Sequence, residues 1–486
     1  MLAPPRWKTV CSYVIGWLTS LAWVATVATE TLFAGTMIQG IITLDYPDYD
    51  MHRWHGTLLT WCVICGCIFV NVVIPAWLPR FEVFILVFHI AGFFAILITL
   101  LVMTPELGSN ASVWLTSLNE GNWPTQGVSY CVGFLGNVAT FVGADASVHL
   151  AEEVSNAAVN IPKAIIGAML INGSVGFAMM VTILYCLGDV ESVLNSKTAF
   201  PFIQIFFNSV GNVAGATVMA AVVLTLTWAC SIGITTTASR MTWSFARDNG
   251  LPMSRYLSRV SPRTKVPAWA ALAVTGIAAL LTLIYVGSET AFNDVISLTI
   301  TGFYGSYLVP AAFLLHHRIK GNILQRGTNT DPLQPEGPKS FKSSGKPIGG
   351  SGSQAPGPSK FSPNSASDSP ALAQHDDASD QDSSASASAT NVINARLVWG
   401  PFRLPGLLGT INNLYACCYM VFVIFWSVWP PATPVTAATM NYSVVVTGGV
   451  MLLSAVWYFV QAKHVYKGPL IDSEVAEVMR AGSVVG

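Results

Sequence analysis

Charge is what this sequence has least of: Asp, Glu, Lys and Arg together make up 10% of 486 residues, against 52% hydrophobic ones. A soluble domain of that composition would have more apolar surface than it could hide, so an ordinary water-soluble globule is excluded and a polytopic membrane protein is expected. The familiar phosphate and metalloenzyme motifs are missing too. There is no G-x-x-x-x-G-K-[ST] loop, no G-x-G-x-x-G following a strand and no H-E-x-x-H pair, which argues against an ATP-driven pump encoded in this chain and against an enzyme. Cysteine chemistry is equally poorly supported. All nine cysteines (Cys11, Cys62, Cys65, Cys67, Cys131, Cys186, Cys230, Cys417 and Cys418) lie within apolar stretches, where they read as small packing residues rather than disulfides or metal ligands. No cofactor, metal or nucleic acid is expected.

What the chain does have is hydrophobic runs of membrane-crossing length, about 20 residues each. Ten are predicted, at 9–44, 56–74, 81–103, 128–150, 165–187, 213–237, 267–286, 295–315, 407–428 and 444–460. The first is too long for a straight crossing, so a tilted helix or one running past the interface is expected. Its length also far exceeds a signal-peptide core of roughly 7–15 residues, so it is expected to stay in the mature chain. With the first residue on the cytoplasmic side, the inner segments hold 22 of the 24 Lys and Arg, and only Arg53 and Lys197 fall outside. That asymmetry satisfies the positive-inside rule. It puts the sequons at Asn110 and Asn441 on or near the outer side as candidate glycosylation sites, whereas Asn172-Gly-Ser falls within a span.

Four regions follow: 1–319, a block of membrane helices; 320–394, rich in Ser, Gly, Pro, Asp and Ala; 395–467, the last two spans; and 468–486, a cytoplasmic tail. The second reads as a disordered cytoplasmic linker, either a plain spacer or a phosphorylation segment. The basic loop 239–266 differs, because it keeps Trp243, Phe245, Leu251 and Tyr256 among six basic residues. It is expected to be ordered, either anchored to anionic lipid or forming a gate.

The fourth apolar run is interrupted at Phe141, Val142, Gly143, Ala144 and Asp145. Glycine is a poor helix former, and a carboxylate facing lipid costs about 2.5–3.5 kcal/mol. One reading is a helix that unwinds beside a polar cavity, freeing backbone groups for a small ligand. The other is a continuous helix in which Asp145 and His149 pair at i and i+4. Glu30 and His89 are further intramembrane polar groups with either a functional or a packing role. Ser231, Thr235, Thr236 and Thr237 read as residues that join helices.

The stretch GADASVHLAEEVSNAAVNIPKAI, from Gly143, resembles the sixth helix and following loop of the amino acid–polyamine–organocation transporters, in particular the fungal amino-acid, GABA and choline permease group. ASRMTWSFARDNGLPMSRYLSRV resembles that group's loop after the eighth helix, and WHGTLL, FHIAGFFAILI, NEGNWPTQGVSY and AFPFIQIFFNSVGN fit as well. The resemblance implies an all-α, leucine-transporter-like inverted-repeat fold with substrate held between broken first and sixth helices. It implies that Phe141, Gly143 and Ala144 lie in the unwound segment, that Asp145 responds to protons, and that Glu152 and Glu153 form an inner gate with Arg240 or Arg247. Glu30 departs from the family pattern and takes no role from it.

The resemblance also implies twelve spans where ten are counted, and MLAPPRWKTVCSYVIGWLTS resembles the approach to the family's third helix. The first two helices are therefore expected to be absent, which would expose polar faces of the sixth and eighth and impair transport. The leading expectation is a secondary transporter of amino acids or a small amine such as GABA or choline, proton-coupled and working by alternating access. Its partners would be that substrate and the lipid bilayer. It is expected in the plasma membrane, with the vacuolar membrane as the alternative. A nontransporting nutrient sensor or regulatory membrane protein is the competing class.

Overall fold

The computed structural model describes residues 2–198, 200–323, 397–437 and 439–469. The linker expected at 320–394 lies outside the described residues from 324 onward, as does the tail from 470. One compact unit comprises Met1–Ile323 and Trp399–Leu470; the other, Leu324–Val398 and Ile471–Gly486, falls almost wholly outside the described residues.

The described unit is helical, and no β-strand occurs among its described residues. Its main helices are α1 (Lys8–Asp45), α2 (Arg53–Ile68), α3 (Leu78–Met103), α4 (Gln126–Ala139), α5 (Ala146–His149), α6 (Ala157–Tyr185) and α7 (Pro201–Val210). They continue with α8 (Val213–Arg247), α9 (Ala268–Gly287), α10 (Glu289–Ile319), α11 (Gly406–Ser427) and α12 (Ser443–Trp457). Nine helices among the described residues are long and apolar enough to cross a membrane. The predicted run 128–150 is not one of them, because it is divided between α4 and α5.

Helix α1 is the central post. Its 38 residues extend ~57 Å at 1.5 Å per residue, well beyond a hydrocarbon core of about 30 Å. Buried residues occur along its length from Tyr13 to Thr43, and it packs against α2, α8, α9 and α10. The buried hydroxyls of Ser20 and Thr29 have no partner among the described residues, whereas several others are satisfied internally: Thr26, Thr31 and Thr36 each donate to the carbonyl four residues back at 2.7 Å. That is how a polar residue is carried through an apolar core without an orphan donor. Close approach to α2 depends on Gly35, where a Cβ would lie 2.2 Å from Thr60 Oγ1 and 2.6 Å from its backbone nitrogen.

Helix α8 follows the same chemistry, with Ser231, Thr235 and Thr236 donating to carbonyls four residues earlier. The expectation that its polar face would be exposed is not met, since Ser231, Thr235, Thr236 and Thr237 are all buried. Helix α1 packs along α8, and Asn71, in a π-helical turn, Phe69–Val73, that extends α2, adds a polar contact. Asn71 Nδ2 donates to the Ile232 carbonyl at 3.1 Å and Oδ1 accepts from Thr236 at 2.5 Å, so that face is joined to a neighbour. Helices α4 and α6 do present polar side chains outward: Asn137, Asn172 and Ser174 are exposed, and Ile161 and Thr182 are the buried residues of α6.

The largest apolar core gathers Trp23 and Val27 of α1, Val138 of α4, Val274 of α9, Phe303 and Tyr304 of α10, and Val423 of α11. It lies against the point where α4 stops.

A carboxylate at a broken helix, above an ion-paired cavity

Helix α4 ends at Ala139 and α5 begins at Ala146. Between them, Gly143 has φ +83°, a left-handed conformation that suits glycine. The helical ladder gives way to three-residue turns, with Phe141 N donating to Val138 O at 3.1 Å and Ala146 N to Gly143 O at 3.0 Å. Among the described residues no backbone carbonyl accepts from the amides of Gly143, Ala144 or Asp145. The segment thus offers free backbone donors, as the unwound reading of the sequence requires.

The two readings weighed for Asp145 prove compatible. The helix is interrupted, and Asp145 still meets His149, with Nε2 at 3.0 Å from Oδ2. The other carboxylate oxygen accepts from Tyr307 of α10, whose Oη lies 2.5 Å from Oδ1. Asp145 and His149 are mostly buried, with 18% and 16% of their side chains exposed. Trp23 stands edge-on to His149 with ring centroids 5.8 Å apart, and its ring comes within 3.4 Å of where a Cβ on Gly143 would be. Phe141 is 41% exposed beside Gly173 of α6, and Val142 packs onto the main core.

Tyr307 and Trp23 were not among the residues singled out from the sequence. The available signal was a tyrosine pair, Tyr304 and Tyr307, one helical turn apart within an apolar span: buried hydroxyls need partners. Glu30 and His89 do not join the site; among the described residues neither bonds to the break or lines the cavity beneath it.

That cavity, about 390 Å³, is lined by His149, Glu152, Glu153, Arg240, Trp243 and Lys265 among others. Glu152 and Arg247 form a two-toothed ion pair, with Nη2 to Oε1 at 2.9 Å and Nη1 to Oε2 at 3.3 Å. Arg240 Nε reaches Glu153 at 3.2 Å. Arg247 also stacks over Trp243 at 4.7 Å, and Trp243 Nε1 donates to the Ser258 carbonyl at 3.0 Å. The first part of the predicted loop 239–266 is thus not a loop, since residues 239–247 are the last turns of α8 with Phe245 buried, and the Trp243–Ser258 bond ties the following segment to that helix end.

The remaining candidates divide. Asn110 is exposed and accepts from Tyr185 Oη at 2.7 Å. Asn441 is buried and its Nδ2 donates to Ser297 Oγ, Ser427 O and Trp429 O, so a glycan there would have to displace all three. The nine cysteines are free, and no cluster able to hold a metal ion occurs among the described residues.

A helical membrane bundle whose interrupted segment bears a carboxylate beside free backbone amides is the architecture of a secondary transporter. A profile of the amino acid permease family matches residues 2–350, and the chain belongs to that family. It is a transporter rather than an enzyme. It is 31% identical over 326 residues to a Macrophomina phaseolina protein named an amino acid/polyamine transporter, spanning 67% of this chain and 72% of that one. It is 32% identical over 315 residues to the choline transporter of Saccharomyces cerevisiae, across 65% of this chain and 56% of that one. An amino-acid permease of Schizosaccharomyces pombe is 26% identical over 483 residues, 98% of this chain and 74% of its own length. The chain thus spans between about half and three quarters of these relatives.

Proposed function

We propose that this transporter carries an amino acid or a related small amine by alternating access, with residues 141–145 contacting substrate and Asp145 taking up and releasing a proton in each cycle. The observation that carries the reading is the break itself, where free amides of residues 143–145 adjoin a mostly buried carboxylate. Amides of this kind suit a carboxylate or hydroxyl, and the nearby rings of Trp23 and Tyr307 suit a cationic nitrogen. The names of the relatives, amino acid/polyamine and choline transporters, fit the same class. The ion pairs Glu152–Arg247 and Glu153–Arg240 act as the cytoplasmic gate in this reading.

The test is uptake into vesicles containing the purified chain, with an inward proton gradient and labelled choline, GABA, putrescine and amino acids offered singly. Accumulation of at least one compound that collapses with the gradient is expected, and Asp145→Asn should remove the dependence on the gradient. Failure of the whole panel under these conditions would sink the reading. The plasma membrane is the proposed location; a fluorescent fusion confined to an internal membrane would overturn that.

A further inference from the structure

His149 joins two places that are otherwise separate. Its Nε2 bonds to Asp145 at the helix break, and its ring lines the cavity on the face that the positive-inside pattern assigns to the cytoplasm. On the far side of Asp145, Tyr307 holds the other oxygen, with Tyr304 next to it at 6.0 Å between rings and Tyr419 beyond that. The main core seals this side with apolar and aromatic side chains, including Trp23 and Phe303. A proton leaving Asp145 toward the cytoplasm thus meets an imidazole in one direction and a packed wall in the other.

We propose that His149 is the proton outlet of this transporter, passing the proton of Asp145 to water in the cytoplasmic cavity while Tyr307 fixes the carboxyl in place. The proposal rests on the reading of Asp145 as the protonation site. When Asp145 is protonated, its hydroxyl donates to a bare Nε2 and the imidazole proton sits on Nδ1. The Asp145 O–H bond breaks as Nε2–H forms, and Nδ1–H gives its proton to water acting as base. The result is a carboxylate accepting from Nε2–H, the arrangement that the 3.0 Å contact fits. Tyr307 is a positioning residue: its hydroxyl donates to the carboxyl throughout and neither gains nor loses a proton.

The charges around the relay favour this direction of travel. Glu152 and Glu153 lie on the same segment at the cavity, Arg240 reaches in from α8, and Lys265 from the loop after it. Glu153 engages Arg240 and Glu152 engages Arg247 while the gate is closed. When the gate opens, two carboxylates are released beside His149 and become acceptors for the departing proton. Gate opening and proton release are coupled by position alone.

The experiment is infrared difference spectroscopy of the purified full chain in lipid during a rapid change between acid and neutral buffer. No substrate is required. The wild type should show the carbonyl band of a protonated carboxyl at acid pH, and Asp145→Asn should lose it. With His149→Gln or His149→Asn the band should remain while its rise and decay slow by about tenfold or more, the loss of roughly 1.4 kcal/mol of assistance to the transfer. Tyr307→Phe should move the band's frequency and leave its rate unchanged, which a purely structural role for His149 would not reproduce.

Unchanged kinetics in the folded histidine variants, with the band still lost in Asp145→Asn, would overturn the relay and leave Asp145 as the proton site. No band assignable to Asp145 would overturn that reading as well. Should neither histidine variant fold, the wild type labelled in its histidine rings decides. A carboxyl band that rises without an accompanying histidine ring change would refute the relay.

Discussion

Tyr307 Oη donates to Asp145 Oδ1 across 2.5 Å, between residues 162 positions apart in the chain, and so ties the helix break to α10. A hydrogen bond to a charged acceptor contributes about 1.5–3 kcal/mol. Tyr307→Phe should therefore lower the melting temperature of the detergent-solubilised protein, and adding Asp145→Asn should cost less than the two single losses combined. Additive losses would mean that the two side chains do not stabilise the fold as a pair.

Asp145 was legible in the sequence and Tyr307 was not, for a physical reason. An aspartate next to a glycine inside an apolar run violates local rules twice, and such violations are visible without knowing the fold. A tyrosine in an apolar span violates none, because its ring belongs there and its hydroxyl can find a partner anywhere. The same holds for Trp23, whose role follows from α1 crossing the break. Glu152, Glu153, Arg240 and Arg247 were gate candidates through the resemblance to the family, with only the basic segment after the sixth apolar run suggesting a gate from its residues; which acid meets which base required the structure. Thr235 and Thr236 were read as residues that join helices, but the π-helical turn at Phe69–Val73 left no periodic signal, so Asn71 was not foreseen as the partner.

The gate pairs offer a second prediction. Glu152 and Glu153 have exposed side chains, 63% and 59% accessible, and exposed pairs contribute about 0.2–1 kcal/mol to stability. Neutralising Glu152 should therefore leave melting nearly unchanged while altering transport, whereas neutralising Glu153 takes the carboxylate from Arg240, only 12% exposed, and should also lower the melting temperature. Arg247→Glu places like charges together and should reduce uptake by about tenfold, equivalent to roughly 1.4 kcal/mol. The swap Glu152→Arg with Arg247→Glu should recover most of that loss. An unrecovered swap would indicate that Arg247 acts through its stacking on Trp243 and not through the ion pair.

Gly143 carries the backbone strain of the break. Its φ of +83° costs a residue with a side chain roughly 1–2 kcal/mol, and the added Cβ would stand 3.4 Å from the Trp23 ring. Gly143→Ala should fold with reduced thermal stability, and the branched Gly143→Val should be worse because its methyls enter the space held by Trp23. Comparing melting curves of the two variants separates backbone from packing. Equal losses would leave backbone conformation as the whole cause.

Asn71 provides the sharpest test of how polar groups are held inside this bundle. The side chain is buried at 2% exposure, donates to Cys67 O at 3.0 Å and Ile232 O at 3.1 Å, and accepts from Thr236 Oγ1. Asn71→Leu is close in volume but removes every one of these bonds, and each buried group left unsatisfied costs about 1–3 kcal/mol. Asn71→Asp should be more damaging, since a carboxylate cannot donate to the two carbonyls and a charge would be buried among them. Replacing Thr236 with Val in the Asn71→Leu background removes a buried hydroxyl that has lost its bond to Asn71 and should recover part of the loss. Thr236 also donates to the Ile232 carbonyl within its own helix at 3.0 Å, which limits that recovery. Thermal melts of the four proteins decide the matter: if Asn71→Leu melts with the wild type, lipid or neighbouring backbone satisfies these groups and Asn71 is not what joins α2 to α8.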